Sequence, residues 1–288
     1  MNSLLSEIKY LARKSGLRPQ RQSGQNFLIN QSVFEKIIAC SDLSPDDRVL
    51  EIGAGFGTLT KELAQRAKRV WAIELEKRFI PSLTKLSSVF PTIEVIKNDV
   101  RKVKIDLLIN GAPYKIVANL PYNITSYLLR RFLAQEPKPS LMVLLIQKEV
   151  AERITALPGD LSLLGVSVQF YAEPKIIQVI KKNNFWPEPA VDSAIVKIEK
   201  IKTKESVRKE LKKWGDLDEQ DFFQVVRAGF SAKRKQIHNN LANSFHTEKG
   251  KIKEVFEQVG LDSAIRSQSL SLEDWKRLTA ILEKEAII

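Results

Sequence analysis

The sequence predicts an α/β protein: a mostly parallel sheet covered by helices and closed by a hairpin, followed by a smaller all-α domain. Three observations carry that prediction. Strand-like runs rich in Val, Ile and Leu alternate with helix-like segments through the first two-thirds of the 288 residues. Near Val179–Lys200 the pattern changes to two β-rich runs around a proline-punctuated loop, and beyond Lys200 the strand signal stops. Near-continuous apolar strands separated by helices describe a parallel sheet buried on both faces, because each crossover lays a helix against the sheet.

The elements follow in order. MNSLLSEIKYLARKSG is spaced as a short amphipathic helix, with no apolar run ending in small residues, so no secretory signal is expected. FEKIIACSDL reads as a helix with Cys40 inward as a small hydrophobe. The strands expected next are Arg48–Gly53, Arg69–Leu75, Ile93–Asp99, Tyr114–Leu120 and Ser140–Gln147. Helices fall at Gly57–Ala67, at Arg78–Val89 with an early break at Pro81, and at SYLLRRFLAQ. DFFQVVRAGF, KIKEVFEQVG and SLEDWKRLTAILEKE have helical spacing, and Ser271 to Asp274 has the form of a capping box. The expected division is a basic N-terminal extension over 1–24, a first domain over 25–200 and a helical domain over 201–288.

Composition narrows the chemistry. One cysteine excludes an internal disulfide and suits a reducing, cytoplasmic setting. With only His238 and His246 beside it, no zinc cluster forms, and no metal is expected. No stretch approaches the roughly 20 apolar residues of a membrane span. The formal charge of +12 is concentrated in Arg13–Arg21, Lys197–Lys213 and Ser231–Asn240, which points to an extended anionic partner held through phosphates.

VLEIGAGFGTLT joins the first strand to its helix. Its glycines let the backbone approach a ligand, but the spacing is G-x-G-x-G rather than the dinucleotide G-x-G-x-x-G. Glu51, two residues before Gly53, repels a diphosphate and attracts a cation, which favours S-adenosylmethionine over a nicotinamide cofactor. Glu74 ends the second strand, where it can accept from both ribose hydroxyls, and Asp99 ends the third, where it can meet an adenine amino group. A Rossmann-like S-adenosylmethionine-dependent methyltransferase fold follows from that set.

The fourth strand ends in Asn119-Leu120-Pro121-Tyr122. The Asn119 side-chain oxygen and the Leu120 carbonyl can each accept one hydrogen of an exocyclic amine, and Tyr122 offers a flat ring on which a base stacks. Phe185, in NNFWPEPAVDSA, is the candidate second ring of the clamp.

On these residues the chain resembles the small-subunit ribosomal RNA adenine dimethyltransferase family. The likeness runs through GQNFL (Gly24–Leu28), EIGAGFGTLT, IEL, ND, NLPYN, LIQKEVAERI, FWPEPAVDSA, GFSAKRKQIHNNL and SLSLEDWKRL, nearly the full chain from Gly24. The resemblance implies cofactor contacts from Asn26, Leu28, Gly53, Glu74, Asp99 and Asn119, and a target-adenine site of Asn119, Leu120, Tyr122 and Phe185. It further implies two adjacent adenines, each methylated twice, in a 3′-terminal hairpin loop of 16S ribosomal RNA. A role in small-subunit assembly, on a 30S intermediate and as a monomer, belongs to the same expectation. Arg227, Lys233, Arg234 and Lys235 of the helical domain are expected on phosphates.

Departures from the family pattern are Ala54 for Pro, Ser23 before GQNFL, Leu161-Ser162 for Tyr-Gly, and Lys233 for Arg. Two alternatives stand beside this reading. The large-subunit (23S) type that confers macrolide resistance reads Asn-Ile-Pro-Tyr and lacks the VDSA and FSxxRK segments. A non-catalytic assembly factor of the same fold would have no use for intact Glu74, Asp99 and Asn119–Tyr122.

Overall fold

The computed structural model describes residues 3–17, 26–232 and 234–288. The chain divides into two compact units, Met1–Ala151 with Pro174–Ile201, and Glu152–Glu173 with Lys202–Ile288. The second unit thus includes Glu152–Glu173, a stretch that the sequence reading assigns to the first domain.

In the first unit, the N-terminal helix α1 (Ser3–Lys14) is followed by the two-residue strand β1 (Phe27–Leu28) and helix α2 (Gln31–Cys40). Then come β2 (Arg48–Ile52), α3 (Thr58–Ala64), β3 (Arg69–Glu74), α4 (Ile80–Val89), β4 (Ile93–Lys97), α5 (Ile105–Ile109), β5 (Lys115–Asn119), α6 (Thr125–Ala134) and β6 (Leu141–Gln147). Helix α7 (Lys148–Thr155) carries the chain out of this unit, and α8 (Leu163–Tyr171) lies in the other. The chain returns through β7 (Glu173–Ile180), β8 (Phe185–Trp186) and β9 (Ser193–Glu199).

Seven strands form one sheet in the order β4-β3-β2-β5-β6-β9-β7. The β2–β3, β3–β4, β2–β5 and β5–β6 pairs are parallel, and β9 runs antiparallel to β6. Strand β2 has β3 on one side and β5 on the other, so the connections diverge there and open a crevice at the carboxyl ends of the strands. The central strands are apolar on both faces because helices cover both; β6 is buried from Leu141 to Ile146. Pro81 begins α4 instead of breaking it: its missing N–H falls in the first turn, where helices leave amides unpaired. Cys40 packs half-buried against the core, as a small apolar side chain does.

A second, smaller cluster lies under α1. Ile8, Ala12 and Leu17 bury their side chains with Phe56 and Phe79, and Phe27 and Trp186 pack against the group. The Phe27 ring lies 4.9 Å from Phe56 and 5.7 Å from Phe79 between centroids, distances at which tilted and edge-on rings attract.

The second unit is helical: α8, α9 (Lys204–Lys212), α10 (Glu219–Gly229), α11 (Ile237–Phe245), α12 (Lys249–Val259) and α13 (Leu272–Lys284). The Ser271 hydroxyl accepts from Asp274 N–H while the Asp274 carboxylate accepts from Ser271 N–H, the expected capping box. At its centre Gly229 meets the fully buried Trp275: a Cβ at residue 229 would stand 2.4 Å from Trp275 Cη2. The Gly229 carbonyl accepts from Asn240 Nδ2 at 2.6 Å and from Ser267 Oγ, which ties three segments to one backbone position. Among the described residues no helix is long and apolar enough to cross a membrane.

Candidate active site

A cleft of about 660 Å³ opens in the first unit at the carboxyl ends of β2 to β5. The strand registers bring its residues together. Ile52 pairs with Ile73, Glu74 with Lys97, and Leu50 with Ile116, so the loops that follow β2, β3, β4 and β5 leave the sheet at nearly one level. The expected residues Asn26, Leu28, Gly53, Glu74, Asp99, Asn119, Leu120 and Tyr122 all line it.

The glycine loop joins both halves of the site. Gly53 has φ +76°, and a Cβ there would stand 3.3 Å from Pro121 Cδ, so the loop after β2 and the turn after β5 touch only because residue 53 lacks a side chain. Gly57 has another purpose: a Cβ would meet Leu83 and Leu86 of α4 at 3.1 and 3.0 Å, so its role is packing, not ligand approach.

Three carboxylates surround the loop in different states. Glu74 Oε2 accepts from Gly55 N–H and Oε1 from Glu76 N–H, both at 2.8 Å, which fixes the carboxylate at the cleft with lone pairs to spare. Burial raises its pKa against the pull of those amides. Glu51 is only 2% exposed, and its Oε2 has no hydrogen-bond partner among the described residues. Burial pushes the Glu51 carboxyl up to about 8, and the neighbouring Glu74 charge adds to the rise. Asp99 caps the turn after β4 by accepting from Arg101 N–H, and its carboxylate also takes the Arg101 guanidinium, Nη2 to Oδ2 at 2.6 Å. The guanidinium beside it holds Asp99 below the usual carboxylate range. The acceptor expected for an adenine amino group is thus engaged by a side chain two residues away.

The turn after β5 is fixed from two sides. Asn119 Nδ2 donates to the Asn26 carbonyl at 3.2 Å. A carbonyl can only accept, so this bond assigns the amide orientation and leaves Oδ1 as the free acceptor. Leu120 N–H donates to Leu145 O, extending the β5–β6 ladder by one residue. The turn's own bonds, from Ile124 N–H and Thr125 Oγ1, run to the Pro121 carbonyl and not to that of Leu120. Tyr122 Oη lies 2.7 Å from Ser193 Oγ. Burial pushes the phenol up, with the serine bond pulling the other way.

Phe185 is the expected target-site residue that the cleft does not include. It is 3% exposed, belongs to the main core and does not line the cleft. Its membership of the core follows from register: β1 and β8 pair antiparallel, Leu28 with Phe185 and Phe27 with Trp186. Cross-strand partners share a face, so Leu28 and Phe185 point into the core while Phe27 and Trp186 turn to the aromatic cluster beneath α1. The rings that do line the cleft beside Tyr122 are Phe27, Phe34, Phe56 and Phe79.

In the second unit, Arg227 is exposed in the last turn of α10, and Arg234 and Lys235 are exposed in the connection to α11. Lys233, with Gly24 and Gln25 of the GQNFL stretch, lies outside the described residues. Sequence reasoning missed Arg101 and Ser193. Nothing local marks Arg101 as the partner of Asp99, and Ser193 reaches Tyr122 from 71 positions away.

A family profile described as ribosomal RNA adenine dimethylase matches residues 16–284. Ribosomal RNA small subunit methyltransferase A of Dehalococcoides mccartyi is 40% identical over 280 residues, 97% of this chain and 94% of that protein. Among solved structures, a dimethyladenosine transferase from Plasmodium falciparum is similar with a TM-score of 0.73 and 26% identity, over 90% of this chain and 98% of that one. The 23S rRNA methyltransferase ErmE is similar with a TM-score of 0.68 and 26% identity, over 90% of this chain and 100% of that one.

Proposed function

Because the chain belongs to the ribosomal RNA adenine dimethylase family and has a Rossmann-like methyltransferase fold, we propose that it dimethylates N6 of two adjacent adenines of 16S ribosomal RNA. The target is a 3′-terminal hairpin loop of the small-subunit RNA, met in a 30S assembly intermediate in the cytoplasm, and the protein acts as a monomer. The observation that carries the chemistry is the pinned Asn119 amide, whose oxygen is left as an acceptor on a residue that lines one cleft with Leu120 and Tyr122.

The cleft fits S-adenosylmethionine. Two buried oxygens on residues that line it, Glu51 Oε2 and Asn26 Oδ1, lack partners among the described residues and suit a ligand carrying cationic donors. When bound, S-adenosylmethionine supplies a methyl group already activated on a sulfonium. Gly53 and its loop admit the ligand closely, Glu74 accepts from ribose hydroxyls, and Asp99 accepts from the adenine amino group once Arg101 yields. Leu28 provides apolar wall.

The remaining residues act on the target base. An adenine N6 lone pair is delocalised into the ring, which makes the amine a poor nucleophile. In the first transfer Asn119 Oδ1 and the Leu120 carbonyl draw its two hydrogens toward a tetrahedral arrangement and stabilise the positive charge that develops on N6, which then gives up one proton to water; in the second transfer one of the two acceptors holds the remaining hydrogen in the same way. Tyr122, a neutral phenol, supports the base by stacking and neither gives nor takes a proton. Alignment supplies much of the rate, and the site needs no covalent nucleophile. The helical unit supports binding of the RNA backbone through Arg227, Lys233, Arg234 and Lys235.

The test is to incubate the protein and S-adenosylmethionine with unmethylated small and large subunits and to map methylated adenines by mass spectrometry. Dimethylation of adjacent adenines near the 3′ end of 16S RNA is expected; label confined to 23S RNA, or none at all, refutes the proposal. Asn119→Ala should abolish transfer and leave RNA affinity largely intact.

A further inference from the structure

We propose that Ser193 is a positioning residue for the methyl transfer, holding in place the long axis of the Tyr122 ring on which the target adenine stacks. The inference rests on the reading of Tyr122 as the base platform. Its own observation is the 2.7 Å hydroxyl pair between a residue of the cleft and a residue that does not line it.

Topology makes the pair possible. Ser193 is the first residue of β9 and pairs with Gln147 at the end of β6; two residues back along β6, Leu145 pairs with Asn119 at the end of β5. The turn that carries Tyr122 therefore crosses the end of β6 to reach β9. Ser193 is 0% exposed, so its backbone and side chain have little freedom, and among the described residues Tyr122 Oη is the hydrogen-bond partner of its hydroxyl.

Tyr122 is only half-buried, and the turn around it is otherwise held by Ile124 N–H and Thr125 Oγ1 on the Pro121 carbonyl, neither of which restrains the ring. A phenol rotates about two side-chain bonds; Oη lies on the axis of the second, so a hydrogen bond there fixes the direction of the ring's long axis without resisting rotation of the ring about it. Removing the serine hydroxyl leaves Oη partly buried without a partner, and the ring gains by turning toward water. A tilted platform still binds RNA but presents N6 off line from Asn119 Oδ1 and the Leu120 carbonyl. Misplacement of that kind lowers the rate of transfer more than affinity.

The test is a double-mutant cycle of Ser193→Ala and Tyr122→Phe, read by single-turnover methyl transfer to unmethylated small subunits. S-adenosylmethionine affinity is measured by calorimetry and RNA affinity by filter binding. Phe keeps the ring and loses only the hydroxyl, so each single change should slow transfer by about 5- to 30-fold, the worth of one part-buried hydrogen bond. The double variant should be no slower than either, because both remove the same bond. Both affinities should stay within about threefold of the parent, a split that general loss of structure would not give. A Ser193→Ala rate equal to the parent's, or single effects that multiply in the double variant, overturns the inference. If Ser193→Ala does not fold, Ser193→Cys takes its place in the cycle, with a weak thiol partner and the same expected loss. Asn119→Ala separates the two levels: if it is inactive while Ser193→Ala is unimpaired, the positioning role fails and the proposed function stands. A parent that methylates no small-subunit RNA instead removes the proposed function itself.

Discussion

Glu51→Gln should make the protein more stable relative to the parent as pH rises. In the folded chain the Glu51 carboxyl titrates at about 8, against an ordinary value of 4.5. Between those values the folded protein holds a proton that the unfolded chain has released, so stability falls as pH rises and levels off above the window. At about 1.4 kcal/mol per pH unit, the ceiling on this loss is about 5 kcal/mol by pH 8. Glutamine keeps the shape and cannot ionise. Its buried amide lacks a partner at every pH and costs a constant of about 1–3 kcal/mol. The slope is therefore the diagnostic quantity. Urea unfolding at pH 5, 6, 7 and 8 should show the parent losing stability across the series and the variant losing less. A shallower slope remains in the variant because burial also raises Glu74. A cationic ligand favours the carboxylate, so S-adenosylmethionine binding near pH 7 should release more proton from the parent than from Glu51→Gln. Calorimetry in buffers of different ionisation enthalpy reads that release. Parallel stability curves, or equal proton release, refute the assignment.

Three further predictions follow from other parts of the molecule. Arg101→Ala frees the Asp99 carboxylate and should tighten S-adenosylmethionine binding by about two- to fivefold, the modest worth of a half-exposed ion pair; weaker binding in a calorimetric titration would show that Arg101 supports the ligand. Gly229→Ala should lower the unfolding free energy by about 2 kcal/mol or more, because its methyl would stand 2.4 Å from buried Trp275; an unchanged melting temperature contradicts the packing. Reversing residues 233–235 to Glu should weaken RNA binding and flatten its salt dependence, reducing the slope of log affinity against log salt by up to about three; unchanged affinity at low salt places the RNA path elsewhere.

The parallel strands and the ends that carry Glu74, Asp99 and Asn119 were legible because apolar runs bounded by polar residues have little choice but to be buried strands with exposed ends. Side-chain direction at short elements was not. Phe185 and Trp186 are adjacent aromatics, and which one enters the core depends on a two-residue ladder with Phe27 and Leu28 that leaves no periodic trace. Pro81 looked like a breaker because a proline disrupts a helix interior but suits its first turn, and the two cases differ by a few residues of boundary. The placement of α8 in the second unit was hidden for a similar reason. Its run LLGVSVQFY is apolar enough for any core, and its membership is decided by what it meets: Phe170 stacks on Phe222 of α10 at 4.6 Å. The Asp99–Arg101 pair was invisible because both residues belong equally to an ordinary solvated turn.

The position of β9 in the chain has a consequence for synthesis. Residues 27–147 of the sheet unit leave the ribosome first, with the glycine loop and the NLPY turn already present, and a stretch belonging to the other unit follows before β9 emerges. Until then the LMVLLIQ strand keeps an open apolar edge, the kind that pairs with whatever strand is offered. A nascent chain of this protein is therefore most in need of chaperone cover just before its last strand is made. A chain cut short ahead of Ser193 has neither the strand that covers the β6 edge nor the hydroxyl that meets Tyr122.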